Sequence, residues 1–317
     1  MSRAWNAFWF RSESTVALGL FRILFAFALF HEVRTTTSRS VFAIEGGFHL
    51  PYVSFLGPVS ESAFHWIQGV QVVPVVLLAL GLAVRPAIGS LLLLQGYVFF
   101  SDQLNFRNHP YFFLLVLLLL LFSPCDEALS LKRAWRKARG QTIPDDGYLG
   151  PSRPVTAQRL IQVQVSIVYF YAALHKVNPW FLGGKGLEQV LTDDLFRGWS
   201  GDALHALLSE RALGSLRELV SAEAPLRWAA WAAVATELFL AFGLWFRRTR
   251  PWALGAGVLF HAGIAFTMHI RMFSLATIGS YLLFLDPRTV PRWFARAFGE
   301  SEELERPRSA GPAAETG

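Results

Sequence analysis

Tyr169, Ala172, Ala173 and Lys176 recur at i, i+3, i+4 and i+7, so on a helix they share one face. Two alanines between a phenol and an amine leave room for a guest. Withdrawal from water penalises a lysine as a cation, and the neutral amine is what a base needs at neutral pH. The same lysine also suits a plainer role, snorkelling to anchor the end of a membrane helix. Asn178-Pro179 stops the helix just beyond it, because proline disfavours helical geometry in the residue before it. His175 is next to Lys176 but points about 100° away around an ideal helix, and is assigned no catalysis.

Three further places carry chemistry-bearing side chains. Asn108-His109-Pro110-Tyr111 opens an apolar run, which puts Asn108 and His109 at a helix N-terminus, where free N–H groups and the dipole favour negative charge. Arg22 sits well inside the first apolar run. Intramembrane charges are costly and face a bundle interior or a cavity, so Arg22 reads either as an ion pair with Glu32 or Glu237 or as a cofactor-binding residue. His261 lies mid-run and reads as a histidine bonded to a neighbouring helix or as a site residue of the same kind. Arg271 and His269 follow nearby and could orient an acidic substrate.

The elements that must hold these groups are membrane helices. The chain of 317 residues is 53% apolar and 16% charged, with 28 Phe and 11 Trp and a mean hydropathy of +0.37. Several apolar runs approach the length of about 20 residues that crosses a bilayer. This predicts an all-α, polytopic transmembrane bundle of about eight spans. They fall near 15–33, 63–84, 87–100, 112–122, 159–176, 227–245, 252–269 and 272–285. Residues 1–14 read as an interfacial segment, 15–298 as the transmembrane domain, and the charged, Pro/Ala/Gly-rich 299–317 as a disordered tail. The first run carries Arg22, His31 and Glu32 and lacks a small-residue cleavage site, so it reads as a retained helix.

The net charge of +6 and pI near 9.8 point to loops facing anionic lipid, not to nucleic acid. The basic connections are Arg85, 132–139, Arg247–Arg250 and 288–296. All fall on one side if both termini are cytoplasmic, in a bacterial inner membrane. The acidic connection 177–227 then lies outside with Asn108, His109 and Lys176. A single cysteine, Cys125, excludes an intrachain disulfide and offers no metal cluster.

Taken in order, several stretches resemble the HTTM (horizontally transferred transmembrane) domain, the membrane part of vitamin K-dependent gamma-carboxylases. They are Gly19-Leu-Phe-Arg22-Ile-Leu-Phe25, Gly81-Leu-Ala-Val-Arg85 with Tyr97-Val-Phe-Phe100, Asn108-His109-Pro-Tyr111, Val168-Tyr169-Phe-Tyr-Ala-Ala-Leu-His-Lys176, and Phe260-His261 with Met272-Phe273-Ser274. They span residues 15–287. The large external domain that follows the membrane domain in complete gamma-carboxylases has no counterpart among them. The resemblance implies that Lys176 is the base that deprotonates reduced vitamin K or menaquinol. Oxygen then yields an epoxide through a strongly basic alkoxide, a glutamate side chain loses a proton, and carbon dioxide adds. It also implies that His109 and Asn108 assist at that centre, that Tyr169 lies beside it, and that His261 matches a family histidine. The expected cofactor is therefore a reduced quinone with no metal, and the partners are the lipid bilayer and a secreted peptide or protein client. The competing expectation is a non-redox membrane factor that matures or exports a secreted peptide.

Overall fold

A computed structural model describes residues 2–35, 50–57, 59–141, 151–268 and 270–297. The expectations placed on His269 and on the tail 299–317 lie outside the described residues. The described residues are all-α apart from one short strand pair. An interfacial helix α1 (Arg3–Phe10) leads through strand β1 (Ser12–Ser14) into α2 (Val16–Thr35). Then follow α3 (Glu61–Leu80), α4 (Val84–Ser101), α5 (Asn108–Leu121) and a short α6 (Leu131–Ala138). Strand β2 (Ser152–Pro154) precedes α7 (Thr156–Lys176). Four short helices follow, α8 (Pro179–Leu182), α9 (Lys185–Val190), α10 (Gly198–Leu207) and α11 (Glu210–Ser221). The chain continues through α12 (Glu223–Gly243), α13 (Arg250–Thr267), α14 (Arg271–Ser280) and α15 (Thr289–Ala297).

Among the described residues, three helices, α2 to α4, are long and apolar enough to cross a membrane, and α5 is apolar but shorter. Helix α2 is the hub. Its apolar window is 61% buried, against 28% and 33% for α3 and α4, and its Phe21, Phe25 and Leu29 are sealed in the core. The outward faces are apolar too: Trp66, Leu93, Phe122, Trp228, Trp252 and Leu259 are all exposed. Apolar exposure on this scale suits lipid, not water. Helices α7 and α12, each 21 residues, reach about 32 Å at 1.5 Å per residue. They carry polar residues inward: Gln158 and Gln162 donate to the Leu283 carbonyl at 2.9 and 2.5 Å. That acceptor belongs to a 3-10 turn (Tyr281–Phe284) that ends α14, where the sequence suggested an unbroken helix to 285.

Strand β1 pairs with β2 in antiparallel register, Glu13 opposite Arg153, so α2 and α7 start at the same end of the bundle. The second expected span, 63–84, instead ends at Leu80. Gly81 caps it with φ 70°, a left-handed backbone that favours glycine. Arg22 packs against that cap, where a Cβ on Gly81 would come within 2.7 Å of its Nη1.

The acidic connection after α7 is helical, and it wraps an overhang. Glu237 lies level with the last residue of α7, while α12 begins fourteen residues earlier, so its first two thirds project about 21 Å beyond α7. Gly184, with φ 91°, lets the chain close on that projection, where an added Cβ would meet Leu226 at 2.8 Å.

Candidate functional site

Lys176 is the final residue of α7. Asn178 reverses the chain: its side chain accepts from the Phe181 N–H at 2.9 Å, and Pro179 sits in the first turn of α8. The reversal brings the Phe181 ring to 5.7 Å from Lys176 Nζ. On the other side Lys176 pairs with Glu237 Oε1 of α12. The lysine side chain is 27% exposed and the glutamate 4%. The second carboxylate oxygen, Glu237 Oε2, is buried without a hydrogen-bond partner. A lone, desolvated amine is thus not what the fold builds. Lys176 and Glu237 form a couple with a proton to place between them, and the orphaned oxygen leaves one acceptor open. The expected pairing of Glu237 with Arg22 does not occur.

Two helical turns below, Tyr169 Oη lies 2.6 Å from His261 Nε2 of α13 and 2.5 Å from Tyr281 Oη. Helices α7, α13 and the turn after α14 therefore converge on a chain of three side chains, all nearly sealed from solvent. His261 Nδ1 has no partner, nor does Ser274 Oγ in the first turn of α14. The chain has two directions. Either Tyr281 donates to Tyr169 and Tyr169 to Nε2, leaving Nδ1 protonated, or the order reverses and Nδ1 is an acceptor. Tyr169 and Lys176 lie two turns apart on one face of α7, so the couple and the chain are set along the same side of that helix.

The other expected residues lie elsewhere. His109 Nε2 faces Glu32 Oε1 of α2 at 3.3 Å, and Asn108 is exposed in the first turn of α5. Their end of α5 reaches the cluster through rings. Phe112 meets Phe273 edge-on at 5.5 Å between centroids, and Phe273 lies 6.0 Å from the His261 ring. Arg22 lies at the opposite end of the bundle, where α2 starts. It donates to the carbonyls of Cys125 at 2.7 Å, Leu129 at 2.6 Å and Ala79 at 3.3 Å. It ties the α5–α6 connection to the end of α3, far from Lys176. Arg271 packs its guanidinium 5.4 Å from the Trp199 ring of α10. Among the described residues, no group of His, Cys, Asp and Glu could hold a metal ion.

Glu237, Tyr281 and Ser274 were not singled out as site residues from the sequence. Glu237 carried the clearest signal, as a carboxylate within the apolar run 227–245.

A helical bundle with a lipid-compatible exterior and a buried, hydrogen-bonded cluster of two tyrosines and a histidine defines a polytopic membrane protein. The model of the HTTM domain matches residues 10–288, and the chain belongs to that family. It is thereby a membrane protein related to the gamma-carboxylases. No solved structure matches it.

Proposed function

We propose that the protein is a membrane enzyme of quinol-linked, gamma-carboxylase-like chemistry, with Lys176 as its base and its active face on the extracytoplasmic side. The proposal reads the bundle as eight spans with both termini cytoplasmic in a plasma (inner) membrane. The observation that carries it is the Lys176–Glu237 couple set beside the Tyr169–His261–Tyr281 chain. The open acceptor on Glu237 and the unpartnered His261 Nδ1 and Ser274 Oγ fit a bound molecule that carries hydroxyl or carbonyl groups. Lys176, Glu237, His261 and Tyr169 are the residues that would hold it. A reduced quinone, vitamin K hydroquinone or menaquinol, supplies with oxygen the strong base that abstracts a carbon-bound proton.

The chain's own residues handle protons. Lys176 Nζ accepts one, and Glu237 balances the ammonium that results. A proton shifted along Tyr281, Tyr169 and His261 appears or disappears at His261 Nδ1. Phe181 over Lys176 and Phe273 against His261 limit the access of water. Asn108 and His109, at a helix N-terminus on the same end, support a developing negative charge from the far side of the Phe112–Phe273 layer.

The test is turnover in lipid. The purified protein is given reduced vitamin K or menaquinol, oxygen, bicarbonate and a short glutamyl peptide, and quinone epoxide is sought by mass. Epoxide from the wild type and none from Lys176→Ala is the expected result. No epoxide from folded wild type overturns the proposal and favours the non-redox reading, in which a secreted peptide is matured or exported.

A further inference from the structure

Helix α6 sorts its side chains by kind. Leu131, Ala134, Trp135 and Ala138 recur at i, i+3, i+4 and i+7 and form one face, while Lys132, Arg133, Arg136 and Lys137 fill the rest of the helix. A fifth cation, Arg139, ends it and lays its guanidinium 3.8 Å from the centre of the Trp135 ring. No acidic residue lies within 128–144. The apolar face does not turn into the bundle, since Leu131 is 47% exposed and Trp135 54%. A connection that needed only positive charge would have no reason to keep that charge to one side of a helix.

The position of α6 determines what lies against that face. Ala128 touches α2 near its start, where a Cβ on Gly19 would come within 2.7 Å of the Ala128 carbonyl oxygen. The Leu129 carbonyl accepts from Arg22 at 2.6 Å, and Lys132 donates to the buried Asp126 at 2.6 Å. Helix α6 is thus fixed at the end of a helix long and apolar enough to cross a membrane, which is the level of lipid headgroups. Two other helices meet the same end. Helix α1 runs into β1 just before α2, and α15 packs Val290 in a cluster with Val16, Ala17 and Ala128. Each presents an exposed tryptophan, Trp5 and Trp293, and neither contains an acidic residue. Helix α15 also turns Arg292 and Arg296 outward. Tryptophan favours the membrane–water boundary, and long cationic side chains reach from it to the headgroups.

We propose that α6 is a docking surface for anionic phospholipid. Leu131 and Trp135 enter the headgroup region of the bilayer, and Arg136, Lys137 and Arg139 hold the phosphates of lipids that carry net negative charge. A zwitterionic headgroup sets a positive charge beside each phosphate, so the same cations gain little from it. An acidic soluble partner would meet the cations and leave Leu131 and the tryptophans in water, whereas an anionic bilayer takes both faces of the helix. The inference does not depend on the proposed chemistry and holds whichever reaction the protein performs.

The experiment places a bimane label on the apolar face through Ala138→Cys; Cys125 is buried and stays unlabelled. The labelled full chain is put in nanodiscs of phosphatidylcholine with a minority of phosphatidylglycerol, and quenching is compared with bromine on the one lipid or on the other. Per mole of lipid, brominated phosphatidylglycerol is expected to quench about fivefold more than brominated phosphatidylcholine. Added salt lowers that ratio. Arg136→Gln/Lys137→Gln/Arg139→Gln brings it to about one, and the charge-conserving Arg136→Lys/Lys137→Arg/Arg139→Lys keeps it. All three side chains are exposed, and helical circular dichroism checks that both variants fold. Equal quenching by the two lipids without the further substitutions, or a ratio that survives the glutamines, overturns the inference. So does a label that neither lipid quenches and that responds instead to the number of chains per disc, which would assign the face to a second copy.

Discussion

Glu237, two thirds of the way along α12, is the partner of Lys176 at the end of α7, and its second oxygen is buried with no partner. The two residues are unequal. Lys176 reaches partly to water, whereas Glu237 is almost wholly enclosed. Removing the lysine therefore strands a carboxylate in the bundle, whereas removing the carboxylate leaves a lysine that can swing outward. Lys176→Met is expected to lower stability by about 3 kcal/mol, the low end for breaking a buried pair. Glu237→Gln is expected to cost about 1 kcal/mol. Thermal unfolding in lipid checks the order. A Lys176→Met/Glu237→Leu double variant recovers much of the loss, because no charge is left buried.

Tyr169 is the middle member of its chain, bonded to both His261 and Tyr281. Tyr169→Phe strands two buried polar groups, and Tyr281→Phe strands none, because Tyr169 keeps its bond to His261. The first variant is expected to cost about 1–3 kcal/mol more than the second. If the chain moves protons, Tyr169→Phe also slows turnover, and Tyr281→Phe slows it too, because each interrupts the path through Tyr281, Tyr169 and His261. Steady-state kinetics check this, with kcat falling in both variants while the larger loss of stability stays with Tyr169→Phe.

Arg22 is a holding residue. Its guanidinium meets three carbonyl oxygens with no carboxylate among its hydrogen-bond partners, which only a rigid fork of donors can do. Arg22→Lys loses that geometry. The expected result is a drop in thermal stability of about 3 kcal/mol, on the scale of hydrogen bonds to charged groups. Turnover per folded molecule stays as in wild type. A fall in turnover with unchanged stability would instead place Arg22 at the reacting centre.

What the sequence showed and concealed follows from range. Tyr169, Ala173 and Lys176 share a helix, so a 3.6-residue period is enough to put them on one face. Lys176 and Glu237 are 61 residues apart, and Tyr169 and Tyr281 are 112 apart. No local pattern pairs residues across such distances, and only the packing of α7 against α12 and α14 brings them together. Arg22 misled for a different reason. A buried cation invites a search for an acid, and here backbone carbonyls at loop ends meet it. The connection 177–227 read as an acidic loop because its helices are short, from 4 to 12 residues. Each is too brief for its period to stand out.

Gly257 gives the sharpest way to disturb the chain without touching a polar group. It lies on α13, one turn before His261, with the Tyr281 ring pressed against its bare backbone. A methyl there would come within 2.7 Å of the ring carbon that bears the hydroxyl. Alanine is a better helix former than glycine by about 1 kcal/mol, so on propensity alone Gly257→Ala should stabilise α13. The clash acts the other way. Tyr281 must move off the helix, and its hydroxyl leaves Tyr169. Gly257→Ala is therefore expected to lower the thermal midpoint, and adding it to Tyr281→Ala, where the ring is gone, is expected to raise it. The same substitution changing sign between the two backgrounds would locate the constraint in the Gly257–Tyr281 contact. A loss of the same size in both would place it elsewhere.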